Sequence, residues 1–307
     1  MTKDKSVFDT GNKVDLTAFG PMAQIALEQF FPEYQRVVDD ELAYQFMPGL
    51  LKLLVQICRL RLIRQWMFRI SERRAPGVRG GVLCRKRYID DKLKESLEAG
   101  ISTIVILGSG LDTRAYRPPA LSAARVYEVD LPANIEYKRR KLRQLYGTVP
   151  TRVRLVPVDF NDREWTRVLK DSGYSTDQRS FFVWEGVTQY ISEPVVRRVF
   201  EFLAEARQGS RLVFTFIIKD FIDGAKTYGL EALYRRARIQ EQFWHFGFRS
   251  EAIPAFIGAY AWSELEQVGT CEYRERYLEP VGRTEAVMEI ERAVHAEKTA
   301  RQDARNS

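Results

Sequence analysis

The spacing of apolar positions changes partway along the chain. Over the first hundred residues they recur every three or four positions, through 23–31, 39–46, 50–69 and 88–99, which predicts a mostly helical region. Pro48-Gly49 and Pro76-Gly77-Val78-Arg79-Gly80-Gly81 interrupt it, and the second break reads either as a simple connector or as a mobile loop beside a ligand. From Ser102 onward short β-branched runs take over. Thr103-Ile104-Val105-Ile106-Leu107, with glycines on both sides, predicts a strand buried on both faces. Further strands are expected at 125–129, 153–158, 180–184 and 211–218, separated by helix-like stretches at 133–145, 165–170 and 194–206. Such alternation predicts an α/β fold, a mostly parallel sheet with helices on both faces. The last third reads as a helical insertion at 224–246, a helix over 253–261, strands over 263–268 and 272–277, and a polar tail, 297–307, as a frayed helix end. The expected organisation is a single compact unit: a helical N-terminal cap or lid over 1–100, a core over 101–296 carrying the insertion, and the tail.

In an open parallel sheet, ligands bind outside the carboxyl ends of the strands where the strand order reverses, so the residues after each strand are the ones to inspect. After the first come Gly108-Ser109-Gly110-Leu111-Asp112-Thr113, whose glycines allow a tight turn and a close backbone approach. The second ends at Glu128-Val129-Asp130, with Asp130 twenty residues beyond Gly110, a spacing at which a carboxylate reaches ribose hydroxyls. Asp130 is also placed to cap the helix after Leu131-Pro132. The third ends at Asp159-Phe160-Asn161-Asp162, suited to an adenine amino group with a ring beside it, or to a turn. The fourth ends at Trp184-Glu185-Gly186, which sets a carboxylate toward the middle of the crevice, or into a pair with a basic residue. Asp112 and Arg114 are as well placed to pair with each other as to touch a ligand. Tyr190, Trp244 and His245 are candidates for an acceptor pocket, or for aromatic packing.

Those strand ends carry a family resemblance. Leu107-Gly108-Ser109-Gly110-Leu111-Asp112-Thr113-Arg114-Ala115-Tyr116-Arg117, Tyr127-Glu128-Val129-Asp130-Leu131-Pro132, Val158-Asp159-Phe160 and Trp184-Glu185-Gly186-Val187-Thr188-Gln189-Tyr190-Ile191 resemble, in order and spacing, the leucine carboxyl methyltransferase family. The similarity takes in Cys84-Arg85-Lys86-Arg87-Tyr88-Ile89-Asp90-Asp91 and spans roughly residues 18 to 290, closest to bacterial members that include carboxyl O-methyltransferases of polyketide pathways. It implies a Rossmann-like class I methyltransferase fold and S-adenosyl-L-methionine as cofactor. Residue by residue, it implies that Arg85 pairs with the methionyl carboxylate, with Arg87 as the competing neighbour, and that the backbone at Gly108 and Gly110 lies against the methionine moiety. It further implies that Asp130 binds the ribose, Asp159 and Phe160 the adenine, and Glu185 the amino-acid or sulfonium end. Alignment of the reactants would fall to Glu185 and Tyr190. The sequence departs from the family at Lys86, where threonine is usual, and at Gln24-Ile25-Ala26, where the N-terminal helix commonly carries Arg-Ala.

Composition narrows the chemistry. With two histidines, His245 and His295, and three cysteines without paired spacing, neither a metal centre, a serine–histidine hydrolase nor a disulfide framework is expected. An already ionised carboxylate acceptor needs no general base, so a carboxylate of a small molecule, such as a polyketide or other secondary metabolite, is the expected methyl acceptor. A nicotinamide-dependent oxidoreductase is the alternative, against which stand Thr113 at the third small position of the dinucleotide fingerprint and the lack of a clear Tyr-Lys or His proton donor. The formal charge of +7 raises a second alternative, a non-catalytic basic or nucleic-acid-binding module. Arg59-Leu60-Arg61-Leu62-Ile63-Arg64 and Arg69-Ile70-Ser71-Glu72-Arg73-Arg74 read as a solvated basic helix face, or else as a phosphate-binding or acidic-partner surface. No nucleic-acid partner is expected. No apolar run approaches the roughly 20 residues of a bilayer helix, and Met1-Thr2-Lys3-Asp4-Lys5 does not open a signal peptide, so a cytoplasmic location without a membrane partner is expected.

Overall fold

The computed structural model describes residues 19–117 and 124–300. Five helices come first: α1 (Phe19–Glu28), α2 (Leu42–Phe46), α3 (Gly49–Ile57), α4 (Arg61–Arg74) and α5 (Val78–Glu98). The helix expected over 50–69 is divided at Cys58 to Leu60 into α3 and α4. The glycine-rich break at 76–81 is not a loop. Only Gly77 is left-handed, at φ +73°, and α5 starts at the next residue and runs through Gly80 and Gly81. A Cβ on Gly80 would lie 2.2 Å from the Ala286 carbonyl oxygen, so these glycines let the helix lie directly on the 286–288 backbone.

Next come β1 (Thr103–Leu107), β2 (Arg125–Asp130), α6 (Pro132–Tyr146), β3 (Val153–Pro157), α7 (Trp165–Asp171), β4 (Ser180–Trp184), α8 (Glu193–Leu203) and β5 (Arg211–Ile217), within one residue or so of the expected strands. Pro132 opens α6 at its first turn, and Gly147 closes it in the left-handed conformation at φ +76°. The helical insertion is shorter than expected: only α9 (Lys219–Ile222), α10 (Glu231–Tyr234) and a π-helical turn, Arg235–Gln240, lie in or near it. The chain then forms α11 (Ile253–Gly258), β6 (Trp262–Val268), α12 (Thr270–Tyr273) and β7 (Glu291–Lys298).

Two expectations fail near the C-terminus. The strand over 272–277 is instead α12 running into a π-helical turn, Arg274–Leu278, because Tyr273 and Leu278 turn inward on a helical spacing and Tyr273 meets Tyr88 edge-on with ring centroids 6.0 Å apart. The tail expected from 297 as a frayed helix end begins inside β7, a strand whose charged residues conceal it in the sequence. Residues 301–307 of that expected tail lie outside the described residues.

The sheet has seven strands in the order β3-β2-β1-β4-β5-β7-β6, parallel through β5, with β7 antiparallel between β5 and β6. Successive residues of each strand enter opposite cores, as the two-residue period requires. Ile104, Ile106, Val126 and Val183 pack with α1, α2 and α5, whereas Val105, Leu107, Val129 and Trp184 pack with α7, α8 and α11. Strand order reverses between β1 and β4, which opens a crevice at their carboxyl ends. Among the described residues no helix is long and apolar enough to cross a membrane, and no group of three or more His, Cys, Asp or Glu is placed to hold a metal ion.

Candidate cofactor site

A cavity of about 390 Å³ lies in that crevice. Arg85, Gly108, Gly110, Asp130, Asp159, Phe160, Glu185 and Tyr190 all line it, so the four strand ends singled out from the sequence converge on one space. Arg87 does not line it; half-exposed, it pairs with Asp91 at 2.9 Å one turn along α5. Trp244 lines the cavity; His245 is exposed and does not, and its backbone N–H donates to the Gln189 carbonyl at 2.6 Å.

The turn after β1 is held by the strand beside it. Gly108 and Ser109 N–H both donate to the Val129 carbonyl, at 2.8 and 3.0 Å, and Gly110 N–H donates to Asp130 Oδ2. Gly108 sits at φ +70°, and a Cβ there would lie 2.3 Å from a Val187 methyl, so both conformation and space require glycine. Asp130 Oδ1 accepts from Leu131 N–H at 2.6 Å and Asn134 Nδ2 at 2.8 Å. It therefore ties the turn to the start of α6 while facing the cavity. Burial pushes its carboxyl up from the usual range, and the Gly110, Asn134 and Leu131 donors offset only part of that. With three donors engaged, about one of its roughly four acceptor positions stays open, on Oδ2.

Glu185, at the end of β4, sits within a knot of buried charge. Its Oε1 accepts from Arg85 Nε at 2.9 Å, and its Oε2 from Arg114 Nη1 at 2.6 Å, with Lys86 Nζ 3.9 Å away. Arg114, wholly buried, also reaches Asp112 and Asp90, while Arg85 Nη1 donates to Glu291 at 2.6 Å. Asp112 and Arg114 are thus paired, and Asp112 also meets Lys86 at 3.3 Å. Burial alone would raise the Glu185 carboxyl; Arg114, Lys86 and Arg85 outweigh it and hold that group below the ordinary carboxylate range. Glu291 lies farther back and is pushed up by burial, partly offset by Arg85. Arg117 completes the knot through Asp90 at 2.8 Å and, more distantly, Asp40 at 3.9 Å, so that four cations, Arg85, Lys86, Arg114 and Arg117, face five carboxylates, Asp40, Asp90, Asp112, Glu185 and Glu291.

Asp159 stands at the exposed rim, where its Oδ1 accepts from the backbone and side chain of Asn161, both at 2.8 Å. Phe160 is buried and meets Trp165 edge-on at 5.1 Å. Tyr190 stacks on Phe243 at 5.8 Å and 17°. Sequence reasoning missed Glu291, which sits on the unrecognised β7, and Asn134, whose place one turn into α6 opposite Asp130 carried a usable signal. The apolar wall from α1 and α5, formed by Met22, Ile25, Val78 and Val82, was not singled out either. Ile25 falls in the stretch where the sequence departs from the family pattern.

Comparisons with known proteins agree with this arrangement. A protein of Mycobacterium avium (strain 104), named "Putative S-adenosyl-L-methionine-dependent methyltransferase", is 37% identical over 138 residues, covering 45% of this chain and 46% of that protein. One of the same name from Mycobacterium sp. (strain KMS) is 32% identical over 170 residues, covering 55% and 53%. The matched stretch thus spans about half the length of these curated relatives. A solved structure from Thermobifida fusca YX, named as a "putative methyltransferase", superposes with a TM-score of 0.58 at 18% identity, over 98% of this chain and all of that one. A DUF574 family protein of Streptomyces avermitilis MA-4680 gives 0.53 at 15% identity, over 75% and 88%. These likenesses and the strand order make the fold a Rossmann-like class I methyltransferase fold. The family model described as leucine carboxyl methyltransferase matches residues 18–204, more than half of the chain, and the chain belongs to that family.

Proposed function

We propose that the chain is an S-adenosyl-L-methionine-dependent O-methyltransferase acting on a carboxylate of a hydrophobic small molecule. The observation that carries this reading is the convergence of the ends of β1, β2, β3 and β4 on one cavity at the reversal of strand order. The residues present suit the cofactor group by group. Arg85 Nη2 is not used in the pairs with Glu185 and Glu291 and faces the need of a methionyl carboxylate. The open position on Asp130 Oδ2 takes one ribose hydroxyl, and Asp159 Oδ2, outside the Asn161 turn, takes an adenine amino group beside the Phe160 ring. The Ser109 hydroxyl, buried in the cavity wall without a hydrogen-bond partner among the described residues, adds one more polar contact.

The bound cofactor supplies an electrophilic methyl group, and the protein's part is alignment and electrostatics. A zwitterionic amino-acid end carries no net charge, so it enters this network of ion pairs without adding a net buried charge. No histidine lines the cavity, and Asp112 and Glu185 are held ionised in ion pairs, which suits an acceptor that arrives already deprotonated. Met22, Ile25, Val78 and Val82, with Leu233, Trp244 and Met288, suit an apolar acceptor body.

Two measurements test the reading. Calorimetric titration with S-adenosylmethionine and S-adenosylhomocysteine should show binding by the parent protein, and no binding sinks the proposal. Incubation with a panel of aliphatic and aromatic acids and labelled cofactor should then give a product whose label is released by mild base, as a methyl ester requires. A base-stable product would replace the carboxylate by a hydroxyl or amine acceptor.

A further inference from the structure

The cavity leaves unexplained the most unusual surface of the molecule, on α3 and α4. Leu50, Leu53, Leu54 and Ile57 of α3 follow the helical spacing of a single face, and that face points outward, with 72%, 58%, 47% and 42% of each residue exposed. The opposite side of α3 is apolar as well, since Val55 and Cys58 are buried. On α4, Leu62 is 81% and Trp66 63% exposed, one turn apart, and none of the fourteen residues of this helix is buried. A helix with apolar side chains on both its inward and its outward side, beside a helix that packs inward through Phe68 while leaving Leu62 and Trp66 in water, is unusual for a face bathed in water.

Charge is concentrated in the same place. Between Pro48 and Ala75 stand seven basic residues and a single acidic one, Glu72, so this segment holds six of the chain's seven net positive charges. Among the described residues none of those seven is ion-paired with a carboxylate. Glu72 is occupied as an acceptor for Gly77 N–H at 2.7 Å. Exposed leucine-type side chains and a tryptophan, interleaved with unpaired arginines, form the surface that settles at a lipid–water boundary and is drawn to anionic headgroups.

We propose that α3 and α4 dock the protein on the surface of an anionic lipid bilayer, lying in the interface without spanning it. An interfacial helix needs no spanning segment, so the absence of one does not bear on this surface. Charge decides between occupants. A second copy of this chain would set like charge against like across a two-fold interface. Residues 1–18 carry three Lys and three Asp, and residues 301–307 two Arg and one Asp, so neither end offers an acidic complement. A nucleic acid would meet the arginines but leave the leucines wet. The chain passes from α4 directly into α5, whose Val78 and Val82 wall the cavity, so a hydrophobic acceptor dissolved in lipid would be presented beside its site.

The test is co-sedimentation of the full chain with vesicles of phosphatidylcholine alone or with phosphatidylglycerol added, a readout that owes nothing to methyl transfer. Uptake is expected only with phosphatidylglycerol and should weaken with salt, accompanied by a blue shift of emission that disappears in Trp66→Phe. The triple variant Arg61→Glu, Arg69→Glu, Arg73→Glu should partition at least about 100-fold more weakly. Leu53→Ser with Leu54→Ser and Leu62→Ser should lose about tenfold or more. All these residues are solvent-facing, so unchanged circular dichroism and thermal unfolding are expected. No uptake by the parent protein, or uptake unchanged in both variants, overturns the proposal. So does dimerisation, binding to DNA or binding to polyglutamate that these variants abolish while vesicles are ignored.

Discussion

Arg114 and Arg69 carry the same guanidinium into opposite circumstances. Arg114 is fully buried, bound by three carboxylates and the Lys86 carbonyl; Arg69 stands exposed on α4 with no carboxylate partner among the described residues. Burying a guanidinium costs so much that it is tolerated only when every face is answered, so the charges around the cavity are part of the frame. On α4, Arg64 is tied to the Cys58 carbonyl at 3.0 Å and Glu72 to Gly77, but Arg61, Arg69, Arg73 and Arg74 stand exposed and are available to whatever anion arrives. Charge inside this protein builds a site, and charge outside it selects surroundings.

The largest expected effect tests that division directly. Arg114→Ala leaves Asp90, Asp112 and Glu185 buried against one another and should cost about 3–5 kcal/mol, read as a fall in the urea midpoint. A cost near zero would mean that water already screens the knot. His295 examines the rule from the other side, as a buried group able to take a positive charge but lacking a carboxylate bond. Burial, then Lys92 and Arg211, push its pKa down to about 4. As pH falls the unfolded chain takes the proton first, so this contribution is intact above about pH 6.5 and is lost progressively toward pH 4, by up to about 3 kcal/mol. His295→Phe should flatten that part of the stability profile. Asp130→Ala unties Gly110 and Asn134 and, on the proposed cofactor reading, removes the acceptor for a ribose hydroxyl. Losing one charge-assisted hydrogen bond of roughly 1.5–3 kcal/mol predicts cofactor affinity lower by about 10- to 150-fold by titration calorimetry. The smallest effect completes the comparison: Arg69→Ala should leave the urea midpoint within about 0.5 kcal/mol of the parent.

The parts of this arrangement that depend on local signals were legible in the sequence. β1, β2, β4 and β5 announce themselves because each is a short apolar run almost wholly buried on both faces, while the edge strand β3, with Arg154 exposed, follows the same rhythm; a parallel sheet then dictates that Gly108, Asp130, Asp159 and Glu185 share one edge. β7 was hidden because Glu291, His295 and Lys298 are polar, and only partners far along the chain make a strand of them. Residues 272–277 read as a strand although Tyr273 and Tyr277 stand four apart, the spacing of the helical turns they form once Tyr273 packs on Tyr88. Gly80 and Gly81 look like a break because helix propensity counts their missing side chains as a penalty. The close passage of the 286–288 backbone, which turns that penalty into a requirement, has no local signature.

That passage also bears on the order in which the protein can assemble. The cap is fastened by Arg283 to Glu28, by Arg79 to Glu285 and by Arg85 to Glu291, contacts separated by 255, 206 and 206 residues. During synthesis α1 and α5 leave the ribosome long before the carboxylates and arginine that secure them exist. α1, α2 and α5 can already pack on β1, β2 and β4, but these last ties should form only when the final strand enters the sheet, with the cavity closing last of all.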